Sequence, residues 1–435
     1  MGKILSVVFA VLATATSLAM EPPSRPTVDA PELARLGPLT VGIRTLTLVE
    51  HNQLDVLSLD PNTGIVPRRD RTLVIDLWYP ADILAGARTE SYTAELPSEP
   101  PQPPARFTIP GIAFRNARPI LGHYPLVIVS HGYSNATVAL SWLTENLASK
   151  GYVVAAIRHE DPDISDRSKF AGPTLRRPLD LAFASRELQK SLGHEGLIDD
   201  TRTALVGYSM GGYGVLTAAG ATLDPNGPVL SRLPEHALTP YARGGAQRDY
   251  VRVPNVRAVV GIAPAGGGTF AAWDASGLAD IAAPLLLIAG NQDHTVDYTT
   301  GARTFFDAAI HVPRYLLTYR EGGHGIGLDP VPDNMRGKLW DFDWFEDPVW
   351  RKERVVAVNL HMITAFLDLY VKGDDSRRSY LQGLVSDSDA GRWPRSTPGG
   401  YDSFSPGSGE VTLWKGFQNN HATGLSFEFK DSQAR

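Results

Sequence analysis

From Pro125 onward, short apolar runs alternate with segments of helical period. The runs Leu126–Val129, Tyr152–Ile157, Ala204–Val206, Val256–Ile262, Pro284–Ala289 and Arg314–Tyr319 are mostly apolar rather than strictly alternating, the pattern of strands buried on both faces. Helical segments lie between them at Ser141–Lys150, Leu179–Leu192, Met210–Ala219 and Tyr298–Ala309, and a long amphipathic helix at Arg351–Tyr370 closes the series. This order predicts a mostly parallel sheet flanked by helices. Upstream, Val41–Val49 and Arg71–Tyr79 are rich in β-branched and aromatic residues and predict two further strands.

The remaining stretches break the pattern. Residues 1–19 have a Lys near the start, an apolar core and small residues at Ser17 and Ala19, the parts of a cleaved signal peptide and too short a run to span a bilayer. A secreted or periplasmic protein with no stable membrane span is expected. Residues 20–40 form a Pro-rich leader, predicted to be loosely ordered. The main domain covers 41–370, with insertions at about 81–124, 221–255 and 326–350. The first holds Pro100, Pro101, Pro103 and Pro104 and reads as a long surface loop without regular structure. Residues 371–435 form a C-terminal extension with two short β segments, Glu410–Trp414 and Leu425–Phe429.

Composition narrows the chemistry. The 435 residues carry a formal charge of −6 and no long basic run, so no nucleic-acid partner is expected. No cysteine is present, which excludes disulfides, thiolate metal sites and a cysteine nucleophile. No metal-binding motif occurs, and no cofactor is expected.

One motif stands out. Gly207-Tyr208-Ser209-Met210-Gly211-Gly212 follows an apolar strand and opens a helical segment, the setting of a nucleophilic serine on a tight strand-to-helix turn. Such a serine requires an acid and a histidine base after it in the chain. His324, in Gly322-Gly323-His324-Gly325 just beyond the strand Arg314–Tyr319, fits the base; His311 precedes that strand and His361 lies in a helical pattern. Asp293 follows the strand Pro284–Ala289 and is the expected acid, with Asp297 in reserve as a residue better suited to capping the next helix, and Asp274 third. Two backbone N–H groups are needed for the developing oxyanion. Met210 supplies one, and Tyr133, in Ser130-His131-Gly132-Tyr133 after the strand Leu126–Val129, the other; His131 is expected to hold that loop rather than act as a base. Phe270 and Trp273, in a Gly-rich segment after Val256–Ile262, are expected to line the substrate pocket with Tyr133, favouring compact acyl groups.

The runs YPLVIVSHGY (124–133), LASKGYVVAAIRHED (147–161), VGYSMGG (206–212), LLLIAGNQDHTV (285–296) and GGHG (322–325) resemble the α/β hydrolases of the branch that includes platelet-activating-factor acetylhydrolases, predicted dienelactone hydrolases and PET-hydrolase/cutinase-like enzymes. VGIRTLTL and TLVIDLWYPA (72–81) extend the resemblance, which covers roughly 41–370. It implies the α/β-hydrolase fold, cofactor-free hydrolysis of a small ester, Ser209, Asp293 and His324 as triad, and Tyr133 and Met210 as oxyanion donors. Dienelactone hydrolases proper use cysteine, which this chain lacks. A lidded lipase with 221–255 as lid, a phospholipid acetylhydrolase, a serine peptidase or amidase, and a non-catalytic binding module are the alternatives. Oligomeric state is not legible.

Overall fold

The alternation of apolar runs and helices resolves into one large mixed sheet. The computed structural model describes residues 31–98, 101–162, 167–392, 412–418 and 422–434; the expected signal peptide lies outside them. The strands are β1 (Val41–Leu54), β2 (Arg68–Asp82), β3 (Ser91–Leu96), β4 (Ala105–Pro110), the two-residue β5 (Phe114–Arg115) and β6 (Arg118–Pro119), β7 (Tyr124–Ser130), β8 (Val153–Arg158), β9 (Ile198–Tyr208), β10 (Val256–Ile262), β11 (Leu285–Gly290), β12 (Arg314–Tyr319) and β13 (Leu425–Lys430). The main sheet runs β13-β12-β11-β10-β9-β7-β8-β2-β1-β5. The pairs from β8 through β7, β9, β10 and β11 to β12 are parallel, whereas β1, β2 and β13 join antiparallel. This is the α/β-hydrolase fold expected from the sequence.

The central strands are apolar throughout because each of their faces has its own core. In β7, Leu126 and Ile128 point into one cluster and Val127 and Val129 into the other. In β11, Leu285 and Leu287 alternate with Leu286 and Ile288 in the same way. One face is covered by α1 (Ser141–Ser149) and α8 (Lys352–Leu367), the other by α2 (Ala171–His194) and α3 (Met210–Ala218), and α4 (Pro228–Ser231), α5 (Ala275–Ala279), α6 (Thr304–Ala308) and α7 (Leu339–Asp343) are short. The stretch Lys352–Lys372 is long and apolar enough to cross a membrane, but 89% of its most apolar 18-residue window is buried inside the protein, which makes it a core helix.

Four expectations are corrected. The Pro-rich insertion is not a plain loop: β3 and β4 pair as an antiparallel hairpin, with Tyr92 opposite Ile109 and Ala94 opposite Phe107. Its prolines cluster in the connection, and the strands put Tyr92, Leu96, Phe107 and Ile109 inward. The leader is not loose over 31–40. Leu33 N–H donates to His361 Nδ1 at 3.1 Å, Asn146 donates to the Ala34 carbonyl at 3.0 Å, and Gly37 N–H donates to Ser149 Oγ at 2.8 Å. Helix α2 begins at Ala171, well before Leu179, although Pro178 sits inside it. Proline leaves the carbonyl four residues back without its helical donor, and here the Tyr213 hydroxyl takes that carbonyl, Thr174, at 3.0 Å. The C-terminal extension is not separate from the main domain: β13, at the expected segment Leu425–Phe429, joins the main sheet, with Phe427 and Phe429 stacked on Tyr315 at 5.9 and 4.8 Å. Of the other expected tail strand, Thr412–Trp414 is irregular and the residues before it lie outside the described set.

The hairpin is tied to α1 by one buried carboxylate. Glu145 Oε1 accepts from Tyr92 Oη (2.6 Å), Ile112 N (2.7 Å) and Ala113 N (3.1 Å). Burial pushes its pKa up to about 7 against the opposing pull of these bonds. The folded state therefore keeps a proton that the unfolded chain, with a pKa of about 4.3, has already released, so this residue's contribution to stability is full below about pH 4.3 and declines as pH rises towards 7. Glu145→Gln removes that dependence. Thermal melts of both proteins across this range should show the mutant gaining on the wild type as pH rises; a constant difference contradicts the protonation assigned to Glu145.

Candidate active site

β9 ends in the turn that carries Ser209. The serine has φ +53° and ψ −117°, a left-handed conformation unusual for a residue with a Cβ. Its N–H donates to the Ile262 carbonyl at 2.9 Å, and its own carbonyl accepts from Gly212 N at 2.8 Å and Ala265 N at 2.9 Å. Close packing holds the turn. A Cβ on Gly207 would overlap the Gly211 carbonyl, and one on Gly211 would overlap the Ser130 carbonyl of β7. Helix α3 starts at Met210, so the N–H of the residue after the serine is a first-turn donor with no carbonyl of the helix to take it.

His324 and Asp293 arrive from the ends of β12 and β11. His324 Nε2 lies 3.0 Å from Ser209 Oγ, and its Nδ1 lies 2.7 Å from Asp293 Oδ2. Because a carboxylate faces Nδ1, that nitrogen carries the proton and Nε2 is left to accept from the serine. Asp293 Oδ1 accepts from the N–H groups of Thr295 (2.9 Å) and Val296 (3.1 Å). Burial by itself would raise the Asp293 pKa, but the His324 contact and these two N–H groups hold it below the usual carboxylate value. The reserve residues are placed elsewhere. Asp297 accepts from Thr300 N at 2.8 Å and so caps the next turn, while Asp274 caps the short helix α5 (Ala275–Ala279) and pairs with Arg243.

The His324 loop is gripped at four successive residues, a set of partners the sequence reading missed. Gly323 N–H donates to Asp347 at 2.7 Å, and the His324 carbonyl accepts from Tyr208 Oη at 3.1 Å. The Gly325 carbonyl accepts from Lys352 Nζ, and the Ile326 carbonyl from Asn359 at 2.9 Å. Lys352 is buried, which lowers its pKa to about 8 against the attraction of Glu346 and Asp347. These partners stand well away from the loop in the chain, and no local signal marks them.

On the other side of Ser209 lies the 130–134 loop. His131 Nε2 accepts from His159 N–H at 3.1 Å and its Nδ1 faces the Gly132 carbonyl at 2.7 Å, so the ring is neutral with its proton on Nδ1. Burial, with Arg177 adding to it, lowers its pKa to about 3. Gly132 matters for space: a Cβ there would lie 3.0 Å from the Tyr208 ring. Below the loop, Ser130 Oγ, His159 and Asp180 are linked at 2.9 and 3.1 Å in a second serine–histidine–aspartate arrangement, but Ser130 and Asp180 are wholly buried and no substrate reaches them.

Ser209 and His324 open into a cleft of about 1140 Å³. Tyr133, Phe170 and Phe270 form one wall, linked edge to face at 5.2 and 5.3 Å. Trp340 and Trp344, on α7 (Leu339–Asp343) and just after it, line the cleft as well. Of the two expected pocket residues the structure brings only Phe270 to the cleft. Trp273 is 6% exposed and lies one layer deeper, its ring against Tyr213 and Phe305 and beneath Gly266, which itself lines the cleft. Residues of 221–255 are likewise built into the core: Val229, Leu230, Leu233 and Leu238 are buried, and Arg243 pairs with Asp274.

Comparison with known proteins agrees with the resemblance read from the sequence. Residues 117–226 match the family model described as PET hydrolase-like. A cutinase of Thermobifida alba, est1, is 31% identical over 134 residues, 31% of this chain and 40% of its own length. The cutinase cut1 of Thermobifida fusca is 32% identical over 102 residues, 23% of this chain and 30% of its own. The chain thus spans two-fifths or less of the length of these relatives. A ferulic acid esterase from Streptomyces cinnamoneus superposes with a TM-score of 0.50 at 23% identity, over 79% of this chain and 94% of the esterase, and shares the fold.

Proposed function

We propose that this chain is a serine carboxylic ester hydrolase. The observation that carries the reading is the continuous contact from Asp293 through His324 to Ser209, on a strained turn that opens into a cleft. His324 takes the Ser209 proton as the hydroxyl attacks the ester carbonyl. Asp293 keeps the imidazole in the tautomer that accepts at Nε2 and stabilises its charged form. The Tyr133 and Met210 N–H groups receive the oxyanion. His324 then protonates the leaving alcohol, and water activated by the same base releases the acid. The cutinase and esterase names among the relatives support the class of bond. The pattern of residues 1–19 supports export, and mass spectrometry of the native protein is expected to find a chain beginning near Met20 rather than Met1.

Ser209→Ala should abolish fluorophosphonate labelling and lower kcat by at least ~10⁴-fold with the fold intact. Labelling that persists on another serine overturns the assignment. Asp293→Asn should lose ~10⁴-fold, by leaving the base in the wrong tautomer, and Asp297→Asn should lose little, since its carboxylate caps a turn; the reverse order would move the acid to Asp297.

The cleft wall suits compact or aromatic acyl groups. Tyr133, Phe170 and Phe270 stand beside Ser209 as a packed aromatic face, and a difference of one methylene against such a wall shifts discrimination by ~10–200-fold. Among p-nitrophenyl esters, kcat/KM should be highest from acetyl to butyryl and fall more than about tenfold at dodecanoyl, with Phe270→Ala flattening the profile. A preference for palmitoyl esters with activation at an oil–water interface would favour a lidded lipase instead.

A further inference from the structure

A trans peptide sets its carbonyl and its N–H in one plane, pointing opposite ways. Whatever holds the Gly132 carbonyl therefore also aims the Tyr133 N–H. Two donors hold it: His131 Nδ1–H at 2.7 Å and the Arg177 guanidinium at 3.0 Å. Arg177 donates in addition to the His131 carbonyl and, at 3.3 Å, to Ser130 Oγ. It ion-pairs with Asp161, whose Oδ2 accepts the Ser134 N–H at 2.9 Å. Ser134 has φ +51°, so the loop turns back at that point. Two carbonyls and one N–H of the 131–134 loop thus converge on a single buried guanidinium–carboxylate pair, with side-chain exposures of 0% and 3%.

A cation in this position is costly. Removing a charge from water costs several kcal/mol even after partial compensation, and a buried ion pair is commonly no more stable than apolar residues of the same volume. Packing alone does not account for Arg177, whereas its donors match the carbonyls that orient the loop. Its helix is also fastened to the nucleophile helix: the Tyr213 hydroxyl of α3 bonds Thr174 of α2, and a Cβ on Gly214 would lie 3.2 Å from the Arg177 Cβ. The arginine that aims the Tyr133 N–H is therefore carried by the helix packed on α3, which supplies the Met210 N–H.

We propose that Arg177, paired with Asp161, is the positioning residue of the oxyanion site, fixing the Gly132–Tyr133 peptide so that its N–H faces the carbonyl oxygen of an ester held at Ser209. This rests on the ester-hydrolase reading above. Arg177 touches no substrate atom and acts through the peptide it grips. The contribution at stake is that of one oxyanion donor, ~10²–10³-fold in kcat.

The test compares wild type, Arg177→Lys and Asp161→Asn with a p-nitrophenyl butyrate assay, with butyrate as competitive inhibitor, and with an alkyl boronic acid that forms a tetrahedral adduct on the serine. In Arg177→Lys, kcat and boronic acid affinity are both expected to fall ~10²-fold, while KM and the butyrate inhibition constant stay within about threefold, because only the tetrahedral state uses the Tyr133 N–H. A folded Arg177→Lys protein with near-wild-type kcat and boronic acid affinity overturns the proposal, and so does an equal loss of butyrate and boronic acid binding. Should Arg177→Lys fail to fold, Asp161→Asn decides. A fall of about tenfold or more in kcat and boronic acid affinity at unchanged KM supports the proposal, and wild-type values overturn it. Wild-type protein that neither labels with fluorophosphonate nor hydrolyses any ester refutes the functional reading itself, a result distinct from either mutant outcome.

Discussion

The turn at Ser209 is the constraint around which the rest of the molecule is arranged. A residue with a Cβ at φ +53° costs on the order of 1–3 kcal/mol and persists only where its surroundings leave no alternative. Here the surroundings are the strands on either side. The serine's N–H and carbonyl are tied to Ile262 and Ala265, at and just beyond the end of β10, and Gly211 lies so close to the end of β7 that no side chain fits between them. The strain is thus maintained by the parallel pairing of three central strands, each buried on both faces. A sheet that splayed at this edge would relax the turn and withdraw the hydroxyl from His324.

The same logic extends to the flanking loops. The His324 loop and the 131–134 loop, which flank Ser209, are each fastened by buried polar side chains from distant parts of the chain in addition to bonds of their own. The His324 loop depends on Asp347, Tyr208, Lys352 and Asn359, and the 131–134 loop on Arg177, Asp161 and His131. The acid loop is joined to the base loop through the Gln292 N–H, which donates to the Gly322 carbonyl at 2.9 Å. Burying such groups is expensive unless all partners are present, so these networks favour one arrangement over looser ones. The deeper Ser130–His159–Asp180 array belongs to this scaffolding. Asp180 also pairs with Arg71 of β2 at 2.6 Å, linking the loop after β7 to a strand near the sheet edge.

What could be read from the chain alone followed locality. Buried parallel strands are visible as apolar runs, and the nucleophile turn is visible because its glycines lie close together in sequence and each is required by a clash. The residues brought together at 2.7–3.0 Å as Asp293, His324 and Ser209 were identifiable because each follows a recognisable strand. The hairpin 91–110 was hidden because its prolines dominate the composition, although its strands alternate correctly. The docked leader and the terminal strand were hidden for another reason: their partners, His361 and Tyr315, lie far away in sequence. Lys352 reads as an ordinary charge in a helical pattern and Arg177 falls before the predicted helix, and only tertiary packing shows both buried.

Trp273 and Phe270 show why lining residues are harder to assign than reacting ones. Both stand in the irregular stretch after β10, three positions apart, and both are aromatic. In a helix, a spacing of three would put them on one face. This stretch is not a continuous helix: it makes a single turn at Gly268–Phe270, then extends through Ala271 before α5 begins. Gly266, at φ +128°, lies directly on the Trp273 indole, and that contact seats the ring below the cleft floor while Phe270 stays on its wall. Had Gly266 carried a side chain, the indole could not occupy its place. The shape of the cleft beside Ser209 is therefore set by a glycine as much as by the aromatic rings around it.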